Sequence, residues 1–301
     1  MSPQILQADP ATSAAISALD GSSTSRSAST DEGQELPRSA FEGPLRVGSW
    51  INLTAIGVVG GVLSGLFAVG GGILMVPLLV WRTGMDQRRA AATSLVAIVP
   101  TALVSSTTYL LNGQVDLTAA VLVTLGAVTG TMAGTRLLRR IPVPQLRWMF
   151  VVFILLVAAR LLLISPDRGG QVDLTLLVAA GYIGIGIAMG LSSGLFGIGG
   201  GIIAVPLMIS LFAVSDLVAK GTSLLVSVST SAVGTLSNRR AGLVDVRAGL
   251  VMGVVASAAS IPAVGLSLQM SARLSGQLFA VLLILVAVQL SFKSWRERAA
   301  R

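Results

Sequence analysis

The sequence predicts an all-α polytopic membrane protein made of two inverted repeats, each with four long transmembrane helices and a short re-entrant half-helix after a Gly-Gly-Gly tip. Three observations carry that expectation. The 301-residue chain is 53% hydrophobic and only 11% charged, with a mean hydropathy of +0.84. One segment recurs 129 residues further along, and Lys and Arg are distributed unevenly among the loops.

A helix that crosses a bilayer needs about 20 apolar residues. Runs of that kind lie near 50–68, 90–111, 117–137, 148–164, 174–194, 220–236, 248–268 and 274–291. The chain has no Cys and no His, which removes disulfides and thiolate chemistry and the commonest zinc and haem ligands. No metal and no cofactor is expected. The net charge of +8 sits in short loops between apolar runs, a pattern of orientation in a bilayer. The expected partners are membrane lipid and a small solute, not nucleic acid.

Residues 1–45 differ from the rest: they are Ser-rich, hold six of the thirteen acidic residues and have no apolar run long enough for a signal-peptide core. They read as a disordered tail, with a regulatory role and a dispensable extension both open. Aligning GLFAVGGGILMVPLL from Gly65 with GLFGIGGGIIAVPLM from Gly194 gives ten identities in fifteen positions. The same offset superposes Thr93-Ser94-Leu95 on Thr222-Ser223-Leu224, Thr101 on Thr230, and Gly113 and Asp116 on Gly242 and Asp245. The expected organisation is therefore tail 1–45, first repeat 46–168 and second repeat 169–301. Internal duplication with a ligand site between the repeats is the pattern of secondary transporters.

Charge decides the relative orientation of the repeats. With four crossings in each half the basic residues divide almost evenly between the two sides. If the segment after each GGG turns back as its own short helix, seventeen of the 21 Lys and Arg fall on one side against Arg168, Lys220 and Arg273 on the other. That is the positive-inside pattern, and it puts both termini in the cytoplasm of a plasma-membrane protein. A helix of about twelve residues rises only about 18 Å against a hydrocarbon core of about 30 Å. Each short segment is thus expected to be the return arm of a hairpin whose tip lies inside the membrane.

Non-helical backbone at that depth must be covered by protein or line a cavity. Gly70, Gly71 and Gly72, with Gly199, Gly200 and Gly201, permit tight turning and let a ligand approach the main chain. They also precede helix N-termini, whose free N–H groups and positive dipole end suit an anion. Close helix packing by small residues is the other reading. Under the ligand reading, Gly71→Leu or Gly200→Leu abolishes transport and leaves insertion intact.

Hydroxyl donors are the next candidates for an anion site. Thr93, Ser94, Thr222 and Ser223 recur near the mouths, and Thr101 and Thr230 recur about twelve residues into their helices, at the depth of the tips. Depth favours Thr101 and Thr230, with back-bonding to the preceding turn as the alternative for all six. Asp86, Asp116, Asp167, Asp173, Asp216 and Asp245 fall in loops or at helix ends, which argues against a buried carboxylate relay. Asp116 and Asp245 read either as mouth groups or as caps. Arg160 attracts an anion or snorkels to the interface.

The glycine hairpins followed by V-P-L, the later T-S and the closing G-x-V-D together resemble the TauE/SafE family of sulfite exporters and related anion permeases over about 50–290. The resemblance implies a multi-pass carrier of sulfite, sulfonates or other sulfur-containing organic anions. Ala68-Val69 departs from the pattern, because the second repeat has Gly197-Ile198; an alanine there stiffens the first hairpin. A passive anion channel remains the alternative. An enzyme is not expected, because the chain lacks His, Cys, a buried carboxylate pair and a P-loop.

Overall fold

The computed structural model describes residues 47–163 and 175–299. They form ten helices and, among the described residues, no strand: α1 (Val47–Phe67), α2 (Gly72–Arg82), α3 (Gln87–Leu111), α4 (Leu117–Arg140), α5 (Val143–Leu163), α6 (Leu176–Phe196), α7 (Gly201–Phe212), α8 (Asp216–Arg240), α9 (Val246–Gln269) and α10 (Ala272–Ala299). The tail 1–45, Asp167, Arg168, Asp173 and the side chain of Arg160 lie outside the described residues.

Every helix of α1–α5 begins 129 residues before its counterpart in α6–α10. Six helices, α1, α3, α4, α6, α8 and α9, are long and apolar enough to cross a membrane, and α2 and α7 are shorter apolar helices of 11 and 12 residues. The expected runs at 148–164 and 274–291 fall in α5 and α10, of 21 and 28 residues. Several helices extend past the expected runs, and one of these boundaries changes the reading of a residue: α8 begins at Asp216, four residues before the expected run, so Lys220 lies inside a helix and is buried.

Local chemistry explains where the helices begin. The side chains of Asp86, Asp116, Thr175, Ser215 and Asp245 each accept from a first-turn N–H of α3, α4, α6, α8 and α9. Asp116 and Asp245 are therefore caps. By contrast, α2 and α7 begin after Gly71 and Gly200, at φ 77° and 86°, with no side-chain cap. Ala68 holds φ 57°, matching φ 69° at Gly197. The alanine thus adopts the backbone of its glycine counterpart and carries the left-handed strain of about 1–2 kcal/mol.

The halves exchange partners: α4 packs on α6 and α9 on α1, while α3 meets α8 and α5 meets α10. Gly126, Gly130 and Gly134 of α4 lie against the α6 backbone from Ile183 to Gly194, so a Cβ on any of them would strike a carbonyl oxygen. Such small-residue seams let membrane helices approach backbone to backbone. Residue numbers rise together along α4 and α6, so the two run parallel. Along α3 and α8 they run oppositely, with Leu95 at Gly234 and Tyr109 at Gly221. Ring pairs link the two halves: Phe67 stacks on Phe279 at 4.9 Å, and Phe150 meets Phe196 at a tilt at 5.4 Å.

Candidate functional site

Both short helices fold back along the helix before them. Arg82 Nη1 reaches Asn52 Oδ1 at 3.4 Å, and Gly60 faces Met75; in the second half Phe212 packs on Tyr182 at 4.3 Å. The two tips meet inside the protein. A Cβ on Gly70 would sit 3.6 Å from Gly199 Cα and 3.0 Å from Ile98 Cγ2, and one on Gly199 would sit 3.7 Å from Gly70 Cα. Gly72 abuts Gly197 O, and Gly201 abuts Ala68 O.

Gly71 and Gly200 face away from that contact. A Cβ on Gly71 would strike Gly60 O, and one on Gly200 would come within 2.6 Å of Met189 O. These two glycines serve close packing of each hairpin on its own first helix. A leucine at either position therefore reports first on folding, and the expectation of intact insertion in those variants needs revision.

The hydroxyls separate into two groups. Thr93 Oγ1 accepts from Asp245 N at 3.1 Å, and Thr222 Oγ1 accepts from Asp116 N at 2.9 Å. Each threonine thus pins the loop ahead of a helix in the opposite half, away from the tips. Ser94 Oγ donates to Gly197 O at 2.7 Å, and Ser223 Oγ lies 3.5 Å from a Cβ position on Gly201. Thr230 Oγ1 lies 3.3 Å from Gly199 O, whereas Thr101 Oγ1 bonds Ala97 O at 2.8 Å. The structure brings Ser94, Ser223 and Thr230 to the tips and leaves Thr93, Thr222 and Thr101 elsewhere.

Two residues that break the repeat are also buried here, one at the tips and one near the start of α8. Ser227 Oγ donates to Gly199 O at 2.8 Å, and its counterpart 129 residues earlier is Ile98. A search for recurring residues passes over this serine; the run SVSTS, buried at Ser227, Thr230 and Ser231, is the signal that would have found it. Lys220 is the second omission. It is 3% exposed, lies 2.7 Å from Asp216 Oδ2 and 2.8 Å from Ser275 Oγ, and reaches Ser267 Oγ at 3.5 Å. A lysine buried in a spanning helix with a named partner marks a functional position by default.

Six spans together with two half-length helices that meet at glycine tips define a multi-pass membrane protein of the transporter class. A model of the family described as "Sulfite exporter TauE/SafE" matches residues 13–161 and 182–301. The chain belongs to the TauE/SafE family. The match is wider than the 50–290 over which the motifs run. The chain is also 28% identical over 221 residues to the "Probable membrane transporter protein YunE" of Bacillus subtilis (strain 168), covering 65% of this chain and 81% of that one. It is 28% identical over 249 residues to a "Probable membrane transporter protein" of Xylella fastidiosa (strain Temecula1 / ATCC 700964), covering 81% and 95%.

Proposed function

We propose that the chain is a secondary carrier of small anions in the plasma membrane, with sulfite or organosulfonate-type ions as substrate. The observation that carries this reading is the meeting of two helix N-termini at buried glycine tips without side-chain caps. First-turn N–H groups have no intrahelical partner, and the dipole favours negative charge there. The anion is held between Gly70–Gly72 and Gly199–Gly201 near the midplane, with Ser94, Ser223 and Thr230 within reach and with Thr93, Thr222 and Thr101 shaping the helices that carry them. The family description supports sulfite as the first substrate to try.

The same reading takes 46–168 and 169–301 as inverted repeats that share one site. Opposed α3 and α8 and the exchanged pairs α4–α6 and α9–α1 support it. So do the arginines: Arg88 Nη2 reaches Ile141 O at 2.7 Å and Arg139 Nη1 reaches Ser237 Oγ at 3.3 Å, which puts both at the end that also carries Arg239, Arg240 and Arg247. That end is cytoplasmic by the positive-inside rule, as are both termini. Contact between the tips favours a carrier over a passive channel, because it fills the level at which a pore would run.

Purified protein in proteoliposomes tests the function against sulfite, sulfate, thiosulfate, sulfoacetate, taurine and simple carboxylates, with and without a proton gradient. Saturable flux of sulfite or a sulfonate is expected. Flux that never saturates supports the channel, and no flux of any anion refutes the function. Single cysteines test orientation: position 114 is expected to label from outside and position 240 from the cytoplasm, and the opposite result refutes it.

A further inference from the structure

Within that transport reading, we infer that the anion path passes the tips along α8, on the side of Ser227, and that Lys220 selects the ligand at one mouth. The observations start at the α8 N-terminus. Asp216 borders two spaces: an open crevice of ≈ 290 Å³ with Gln114, Ser215 and Met270, and a smaller inner cavity of ≈ 30 Å³ with Lys220, Gly201, Ser275, Phe67 and Phe279. Asp216 of the Lys220–Asp216 pair thus lines both spaces, and the smaller chamber reaches the first residue of α7.

Beyond that chamber the buried polar positions continue at helical spacing. Lys220, Ser223, Ser227, Ser231 and Asn238 are all at most 3% exposed, and steps of three, four, four and seven residues keep them near one face of α8. Ser227 holds Gly199 O at the tip. Ser231 Oγ and both polar atoms of the Asn238 side chain have no hydrogen-bond partner among the described residues. Buried groups of this kind are rare unless water or a ligand completes them. On α3 the positions 129 residues earlier are Ala91, Ser94, Ile98, Ala102 and Tyr109, so the matching line is apolar where it passes the tips, although α3 also buries Gln87, Ser94, Thr101 and Ser105, with Gln87 Oε1 and Ser105 Oγ likewise without a partner among the described residues.

The ion pair gives the selectivity a mechanism. Opening it leaves an ammonium in a buried site, a costly state unless another negative group replaces Asp216. An incoming anion supplies that replacement, and a cation or neutral solute does not. The Nζ proton that Asp216 gives up is then open to an acceptor oxygen of the ligand. Ser275 and Ser267 are already within reach of Nζ, so a small oxyanion takes the place of the carboxylate without rebuilding the rest of the shell. Tyr109 ties the same shell to α1, with its hydroxyl 2.9 Å from Ser267 Oγ and 3.0 Å from Gly65 O.

The test uses the full chain, which has no cysteine of its own. Cysteine replaces Ser227, Ser231 or Asn238 on α8, or the buried Ala91 or Ala102 on α3, and a water-soluble, negatively charged thiosulfonate is the probe. The α8 set is expected to react and the α3 set to stay unmodified. Equal reaction of both sets, or of neither, overturns the path. Sulfite uptake into proteoliposomes then tests the selector. Lys220→Gln raises KM by about ten- to hundredfold, the weight of a hydrogen bond to a charged group, and Lys220→Arg loses less because it keeps the charge. Wild-type KM in a folded Lys220→Gln protein overturns the role of Lys220. If that variant does not fold, Ser275→Ala decides, with raised KM expected and unchanged KM refuting. The labelling depends on no substrate, so absence of flux in the unmutated protein refutes the transport reading and leaves the path to be judged separately.

Discussion

Helices α3 and α8 occupy the same place in the two halves, run in opposite directions and cover the same glycine tips, yet they are chemically unlike. At the first turn α3 has Gln87 and Ala91 where α8 has Asp216 and Lys220; at the tips it has Ile98 against Ser227; and near its far end it has Tyr109 against Asn238. Features set by backbone geometry are shared, including the left-handed turns at Ala68 and Gly197 and the threonine clasps on Asp116 and Asp245. What differs is the side chain that faces the buried centre. Duplication has kept the scaffold and released the lining.

Substitutions at shared features should therefore have equal effects in the two halves, and those at the divergent lining unequal ones. The largest effect is expected at the tips. Gly71→Leu and Gly200→Leu each combine overpacking of about 1–3 kcal/mol with left-handed strain of about 1–2 kcal/mol, so both should lose monodisperse protein in size-exclusion chromatography. Recovery of one folded variant but not the other would break the symmetry of the hairpins.

Next comes the ion pair. Lys220→Ala, which installs the residue of the other half, leaves Asp216 without its partner and is expected to cost about 1–3 kcal/mol, read as a lower melting temperature in detergent. Adding Asp216→Gln completes the match to Gln87 and Ala91, and should restore most of that stability while uptake stays impaired. Restored uptake would show that the charge serves folding alone. Ala91→Lys, the reverse exchange, is expected to destabilise without a gain in uptake.

A smaller and equal effect is expected at the clasps. Thr93→Val and Thr222→Val each remove one part-buried hydrogen bond to a backbone N–H, worth about 0.5–1.5 kcal/mol, and neither should change KM. A change in KM at only one of them would move that threonine into the binding site. The smallest effect belongs to Ala68→Gly, which relieves strain but loosens the unfolded chain, for a net change of about 1 kcal/mol or less. A large loss there would mean that the methyl group packs where Gly197 has none.

The scaffold was legible in the sequence because its signals are local. A GGG before a short apolar run, repeated at a fixed interval, predicts both hairpins, and Asp ahead of an apolar run predicts the caps. The chemistry around the tips was less legible because it depends on contacts between distant segments. Thr93 and Thr222 stood out as a recurring pair, but their bonds reach across 152 and 106 residues to the opposite half. Lys220 resembled a loop cation until Ser215 placed the start of α8 one turn earlier. Ser227 carries no recurrence signal, because its counterpart is Ile98. Depth along a helix gave Thr101 and Thr230 the same rank, whereas the direction of the side chain, which depth does not encode, separates them.

The contact of Gly70 with Gly199 also bears on how such a carrier would feel the membrane potential. Glycine against glycine brings the two main chains together with no side chain between them. Were water to reach that contact from both sides, most of the voltage drop would collapse onto it instead of spreading over about 30 Å of bilayer. A monovalent anion stepping past it would then exchange nearly the full transmembrane work, about 2.3 kcal/mol per 100 mV, in one short displacement. Flux would be steeply voltage-sensitive at a single point along the route, and insensitive along the rest of it.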